Sequence, residues 1–183
     1  MDEMSRGRVV SRDGTEIAYE RYGDGRPVVV VGGAPGADGG RRALVGLLAR
    51  RFSVVMYERR GPAPVEREIE DLAAVLEEAG PGAAVHGTET GGVLALAGAA
   101  AGLPVGALSV YEPEPLADGL VAEVHARVLV VDGGASPAAT RHAARALTAA
   151  LPRARHRTLT GQTHEVAPHV LAPVLEEFLD EPV

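Results

Sequence analysis

An α/β fold is predicted for this 183-residue chain, with a mostly parallel central sheet that opens on an antiparallel hairpin and carries helices on both faces. Three observations lead there. Short valine-rich runs such as PVVVVGG (27–33) have the continuous apolar character of strands buried on both faces. They alternate with longer segments whose apolar residues recur every three or four positions, the helical period. Asp13-Gly14, finally, lies in the middle of an alternating stretch, RVVSRDGTEIAYERY (8–22), the strongest short signal for a hairpin.

After the hairpin, strand 27–33 leads through a glycine-rich loop to the helical RRALVGLLARR. The strand FSVVMYE then precedes VEREIEDLAAVLEEAG, in which Ile69, Leu72, Val75 and Leu76 share one face and Gly80-Pro81 ends the helix. A third unit comprises strand 82–87, the turn HGTETGG and a helix over 91–101. Strand VGALSVYE (105–112) follows, then RVLVVDGG (127–134) and a helix that begins from Ser136 as N-cap with Pro137 in its first turn. A last strand near 154–160 and a helix over 168–180 complete the order. In such sheets ligands sit outside the carboxyl ends of the strands.

The length suits one domain with a single core. The chain shows no run of the ~18 apolar residues that a membrane span needs, and its start is charged, so a cytoplasmic protein is expected. With no cysteine, thiolate catalysis and cysteine metal sites are excluded. All 18 basic residues are arginine, which removes Schiff-base lysines and lysine phosphate loops, and a net charge of -7 argues against a nucleic-acid surface. His164 and His169 lack the i, i+4 spacing of a helical metal pair, and no metal or other cofactor is expected.

The segments VVVVGGAPG, VVMYERRG, GTETGG, LSVYEPEP, VLVVDGGASP and GQTHEV occur in an order and spacing that together resemble the α/β-hydrolase fold over nearly the whole chain. That family carries a nucleophile at the centre of a glycine-flanked elbow, an acid after a later strand and a histidine in the last loop. The resemblance puts Glu89 where the nucleophile stands and His164 at the histidine. For the acid it leaves Glu112, which is favoured, with Ser136 at the family's frequent Asp position and Asp132 as alternatives. Backbone N–H groups of Thr90 and of Gly33 or Ala34 would form the oxyanion hole. Only residues 112–126 separate the two strands between which the family's cap domain is often inserted, so no cap is expected. The site would then be open to a bulky or carrier-tethered small-molecule substrate, or roofed by a second subunit in a homodimer.

A carboxylate at the elbow changes the chemistry that the resemblance implies. The following helix points its N-terminus at Glu89, which favours an anion there. Glu89 with His164 can shuttle protons in a cyclisation, isomerisation or elimination. Alternatively Glu89 attacks as a nucleophile, as the elbow aspartate does in epoxide hydrolases of this fold. Thr88 or Thr90 supplying a hydroxyl is a weaker reading, because both flank the apex. A non-catalytic pair in a ligand-binding protein is the opposing one. Tyr57 and Tyr111 end strands and are candidates to reach the pocket mouth. His86 is expected beneath the elbow, His125, His142 and His156 on the surface, and Glu58 and Arg59 holding their loop by ion pairing.

Overall fold

The computed structural model describes residues 4–33, 40–114 and 120–181. Its centre is an eight-stranded sheet of order β1-β2-β4-β3-β5-β6-β7-β8. The strands are β1 (Met4–Val10), β2 (Glu16–Tyr22), β3 (Arg26–Val31), β4 (Phe52–Tyr57), β5 (Ala84–Thr88), β6 (Ala107–Tyr111), β7 (Arg127–Gly133) and β8 (Ala154–Leu159). β1 pairs antiparallel with β2, and β2 with β4; every later pairing is parallel. β1 begins four residues before the alternating stretch that marks it in sequence. It is an outer strand, exposed along most of its length, so its first residues carry no apolar pattern.

The valine runs are explained by the two-residue period of a strand with a layer on each side. Val29 and Val31 of β3 join the core under α2 (Val65–Ala79), α3 (Glu89–Ala100) and α4 (Ala138–Ala150). Val28 and Val30 join the core under α1 (Arg41–Leu48) and α5 (Pro168–Asp180). α3 has almost no polar face because α2, β5, β6 and a 3₁₀ turn at Leu120–Glu123 all pack around it. That single turn is too short to leave a periodic signal in the sequence.

Two helix starts differ from expectation. α3 begins at Glu89, inside the turn, because Thr88 is extended and Glu89 already opens the first helical turn. The N-cap of α4 is Pro137 rather than Ser136, and the Ser136 hydroxyl is spent elsewhere. Arg59 and Arg60 are half-buried in ion pairs. Arg60 bridges Asp13 of the hairpin turn (2.8 Å) and Asp71 of α2, which holds the Asp13 carboxyl well below the usual carboxylate range.

Candidate active site

The elbow is shaped by backbone crowding. Thr88 closes β5 in extended conformation, and Glu89 takes a left-handed φ of 51° before α3 departs. A Cβ on Gly91 would stand 2.2 Å from the Gly32 carbonyl oxygen and 2.4 Å from that of Val31, and neither backbone group can yield. Glycine there lets α3 start directly against the end of β3, which places the loop after β3 beside the Glu89 side chain. Gly33 meets that side chain itself, since a Cβ at this position would lie 2.4 Å from Glu89 Oε2.

Glu89, His164 and Glu112 come together. Glu89 Oε1 is 2.7 Å from His164 Nε2, and His164 Nδ1 is 3.3 Å from Glu112 Oε2. The Glu112 side chain is 2% exposed, against 57% for His164 and 43% for Glu89, so the pair opens to solvent from a buried base. Glu112 Oε1 accepts hydrogen bonds from the Gly133 N–H (2.8 Å) and the Ser136 hydroxyl (2.5 Å). Ser136 thus holds the acid rather than replacing it. Asp132, the third candidate, is fully buried and turned away, with its Oδ2 3.0 Å from His156 Nε2. This pair also takes His156 off the surface, where the sequence reading had it.

The loop bearing His164 is held at several points. The Tyr111 hydroxyl donates to the Thr163 carbonyl (2.5 Å), the Ala135 N–H to the Gln162 carbonyl (2.9 Å), and the Ala167 N–H to Gln162 Oε1 (2.9 Å). Tyr111 therefore lends its hydroxyl to the loop, not to the pocket mouth. Burial raises the Tyr111 and Tyr57 phenols above their ordinary range. Tyr57 lies in the core with its hydroxyl unpartnered among the described residues.

Arg59 does more than the ion pairing expected of it. Besides pairing with Glu68, it donates from one nitrogen to the carbonyls of Gly32 (3.1 Å) and Gly33 (2.6 Å) and to Thr90 Oγ1 (2.9 Å). Because C=O and N–H are antiparallel across a trans peptide, holding the Gly32 carbonyl aims the Gly33 N–H away from Arg59. The Thr90 hydroxyl is occupied by this contact, and Ala34 lies outside the described residues. Arg59→Gln should leave the half-buried Glu68 without its partner and free both carbonyls, lowering unfolding free energy by about 2 kcal/mol in urea titration. An unchanged midpoint would show that Arg59 is dispensable.

A pocket runs from Glu89, His164, Gly33 and Thr88 into the layer between the sheet and helices α1 and α5, enclosing about 80 Å³. Val30, Leu44, Tyr111, Val166, Pro168 and Leu171 wall it, Arg41 borders it, and His86 also lines it. His86 is wholly buried and its Nδ1 lies 2.9 Å from Ser109 Oγ of β6. Burial pushes its imidazole down to about 4, so the ring is neutral at neutral pH.

The strand order, the strained residue between β5 and α3 and the histidine in the last loop define an α/β-hydrolase fold. An α/β hydrolase from Sphaerobacter thermophilus is 34% identical and superposes with a TM-score of 0.87, over 94% of this chain and 100% of that one. The chain belongs to the α/β-hydrolase family. A dienelactone hydrolase from Anabaena variabilis shares the fold (TM-score 0.84, 14% identity, 97% of each chain). A protein of Azorhizobium caulinodans assigned as carbamate hydrolase RutD is 31% identical over 132 residues, 64% of this chain and 50% of that one. The chain thus spans about half the length of this curated relative. No protein-family model matches it. Among the described residues, no helix is long and apolar enough to cross a membrane.

Proposed function

We propose that this protein is a cofactor-independent enzyme in which Glu89 and His164 move protons on a small biosynthetic intermediate, in a cyclisation, isomerisation or elimination without a covalent enzyme intermediate. The observation that carries this is the 2.7 Å contact between Glu89 Oε1 and His164 Nε2, backed by Glu112 on the other ring nitrogen. One member of the pair withdraws a proton from the substrate, and the other returns one, to a different substrate atom in a cyclisation or isomerisation and to the departing group in an elimination, so that the pair ends with the protons it began with. Glu112 is a positioning residue: its buried carboxylate, itself held by Ser136 and Gly133, orients the ring. The Gly33 N–H is the candidate donor for a developing oxyanion. A site exposed at Glu89 and His164 suits a bulky or carrier-tethered substrate, or a second subunit as its roof. We place the enzyme in the cytoplasm.

A second reading has Glu89 as nucleophile, and the position of its Oε2 against Gly33 favours it. An ester formed on Glu89 would develop its oxyanion beside the same loop when water, deprotonated by His164, attacks the ester carbon. The two are separated by incubating the protein with extract from cells lacking its gene, following small molecules and intact protein mass together. The proton-shuttle reading expects a compound converted with no change in protein mass. A transient adduct on Glu89 would select the nucleophile. A ligand retained unconverted would overturn both and leave a binding protein.

A further inference from the structure

We propose that His86 is the specificity determinant of the pocket, its Nε2 forming a hydrogen bond with a polar group of a largely apolar substrate segment. The inference rests on this pocket being the substrate site and adds the kind of group the substrate brings to it. His86 lies on β5, three residues before Glu89, and its side chain shares a sheet face with Ala84, toward α1 and α5. Val30, Leu44, Val166, Pro168 and Leu171 give much of the wall a hydrocarbon character, beside Tyr111 and Arg41. A polar ring in such a wall is destabilising unless both nitrogens are used.

One of them is used by the protein. Nδ1 faces Ser109, the register partner of His86 on β6, with Oγ at 2.9 Å. Across that contact either group can donate, so the neutral ring carries on Nε2 a lone pair or an N–H, and each needs a partner. Nε2 is buried and has no partner among the described residues. The low pKa of the imidazole agrees with a neutral ring, the form that burial favours. A buried polar atom at one point of a largely apolar pocket selects strongly, because a ligand lacking its partner leaves it unpaired.

Three probes of similar shape test this: phenol, which donates and accepts; anisole, which only accepts; and toluene, which does neither. In protein with ¹⁵N-labelled histidine, phenol should displace the Nε2 resonance of His86 and toluene leave it in place, while anisole moves it only where Nε2 is the donor. In His86→Phe, the affinity for phenol relative to toluene should fall roughly tenfold, the size expected for one buried hydrogen bond. An Nε2 resonance unmoved at high phenol overturns the proposal, as does toluene moving it as far as phenol. The labelled parent decides the matter even if His86→Phe does not fold. Neither readout needs turnover. Phenol held on His86 by a protein that converts nothing would overturn the enzyme reading alone, and Glu89-dependent conversion with a silent His86 would overturn this one alone.

Discussion

Glu89→Gln should lower turnover of the converted compound by roughly 10²- to 10⁴-fold, the range for removing a positioned acid or base. Gln is nearly isosteric and keeps one oxygen within reach of His164, but it takes up no proton and is no nucleophile. The loss would therefore be chemical. Folding should be unaffected, because the side chain is 43% exposed and the left-handed φ of 51° burdens either residue alike. The measurement is the rate at which the parent's substrate disappears from extract, beside thermal unfolding of both proteins. A variant that folds and turns over at the parental rate would remove Glu89 from the chemistry and return it to the status of a surface ion pair.

Acid should destabilise the protein through His86 well before general denaturation. Its folded pKa of about 4 lies below the ordinary 6.5, so between these values the unfolded chain binds the proton and the folded chain does not. Stability is then complete above about pH 6.5, is lost as pH falls through the window, and rises with pH across it. One pKa unit corresponds to about 1.4 kcal/mol, so the contribution lost between pH 7 and 4.5 is about 2 kcal/mol. Urea unfolding of the parent and of His86→Phe at several pH values isolates it, because the carboxylates that titrate nearby are common to both. Parallel pH profiles would mean that the ring finds a proton partner when folded.

Much of the fold was legible because burial on two faces leaves a direct mark. β3, β4 and β7 appear as valine-rich runs, and α2 shows the one-sided pattern of a helix on a sheet. Glu89 and His164 were legible through the resemblance of the ordered motifs to the α/β-hydrolase fold. For the acid, Glu112 was favoured but not separated from Asp132 and Ser136. Glu112, Asp132 and Ser136 all lie at or just beyond the ends of two neighbouring strands, and sequence spacing does not say which way each points. Side chains alternate along β7: Val131 faces the α1/α5 layer, whereas Asp132, with Val130, faces the other side and meets His156 of β8. Ser136 is short and neutral, and a neighbouring carboxylate is a stronger attraction for its hydroxyl than the helix end it was expected to cap.

Arg59 shows the same limit from another side. Its place after β4 suggested an ion pair, but its contacts with Gly32, Gly33 and Thr90 join segments up to 31 residues apart. Local period, turn chemistry and glycine spacing thus determined by themselves that this chain forms a mostly parallel sheet with a carboxylate at its elbow and a histidine in the last loop. Those signals act between residues a few positions apart. The tertiary structure alone decided that Glu112 lies against the histidine, that Arg59 clamps the loop at the elbow, and that His86 borders the pocket. Each of these depends on which face of a strand a side chain occupies and on which distant segment packs against it, and neither is written in the spacing of residues along the chain.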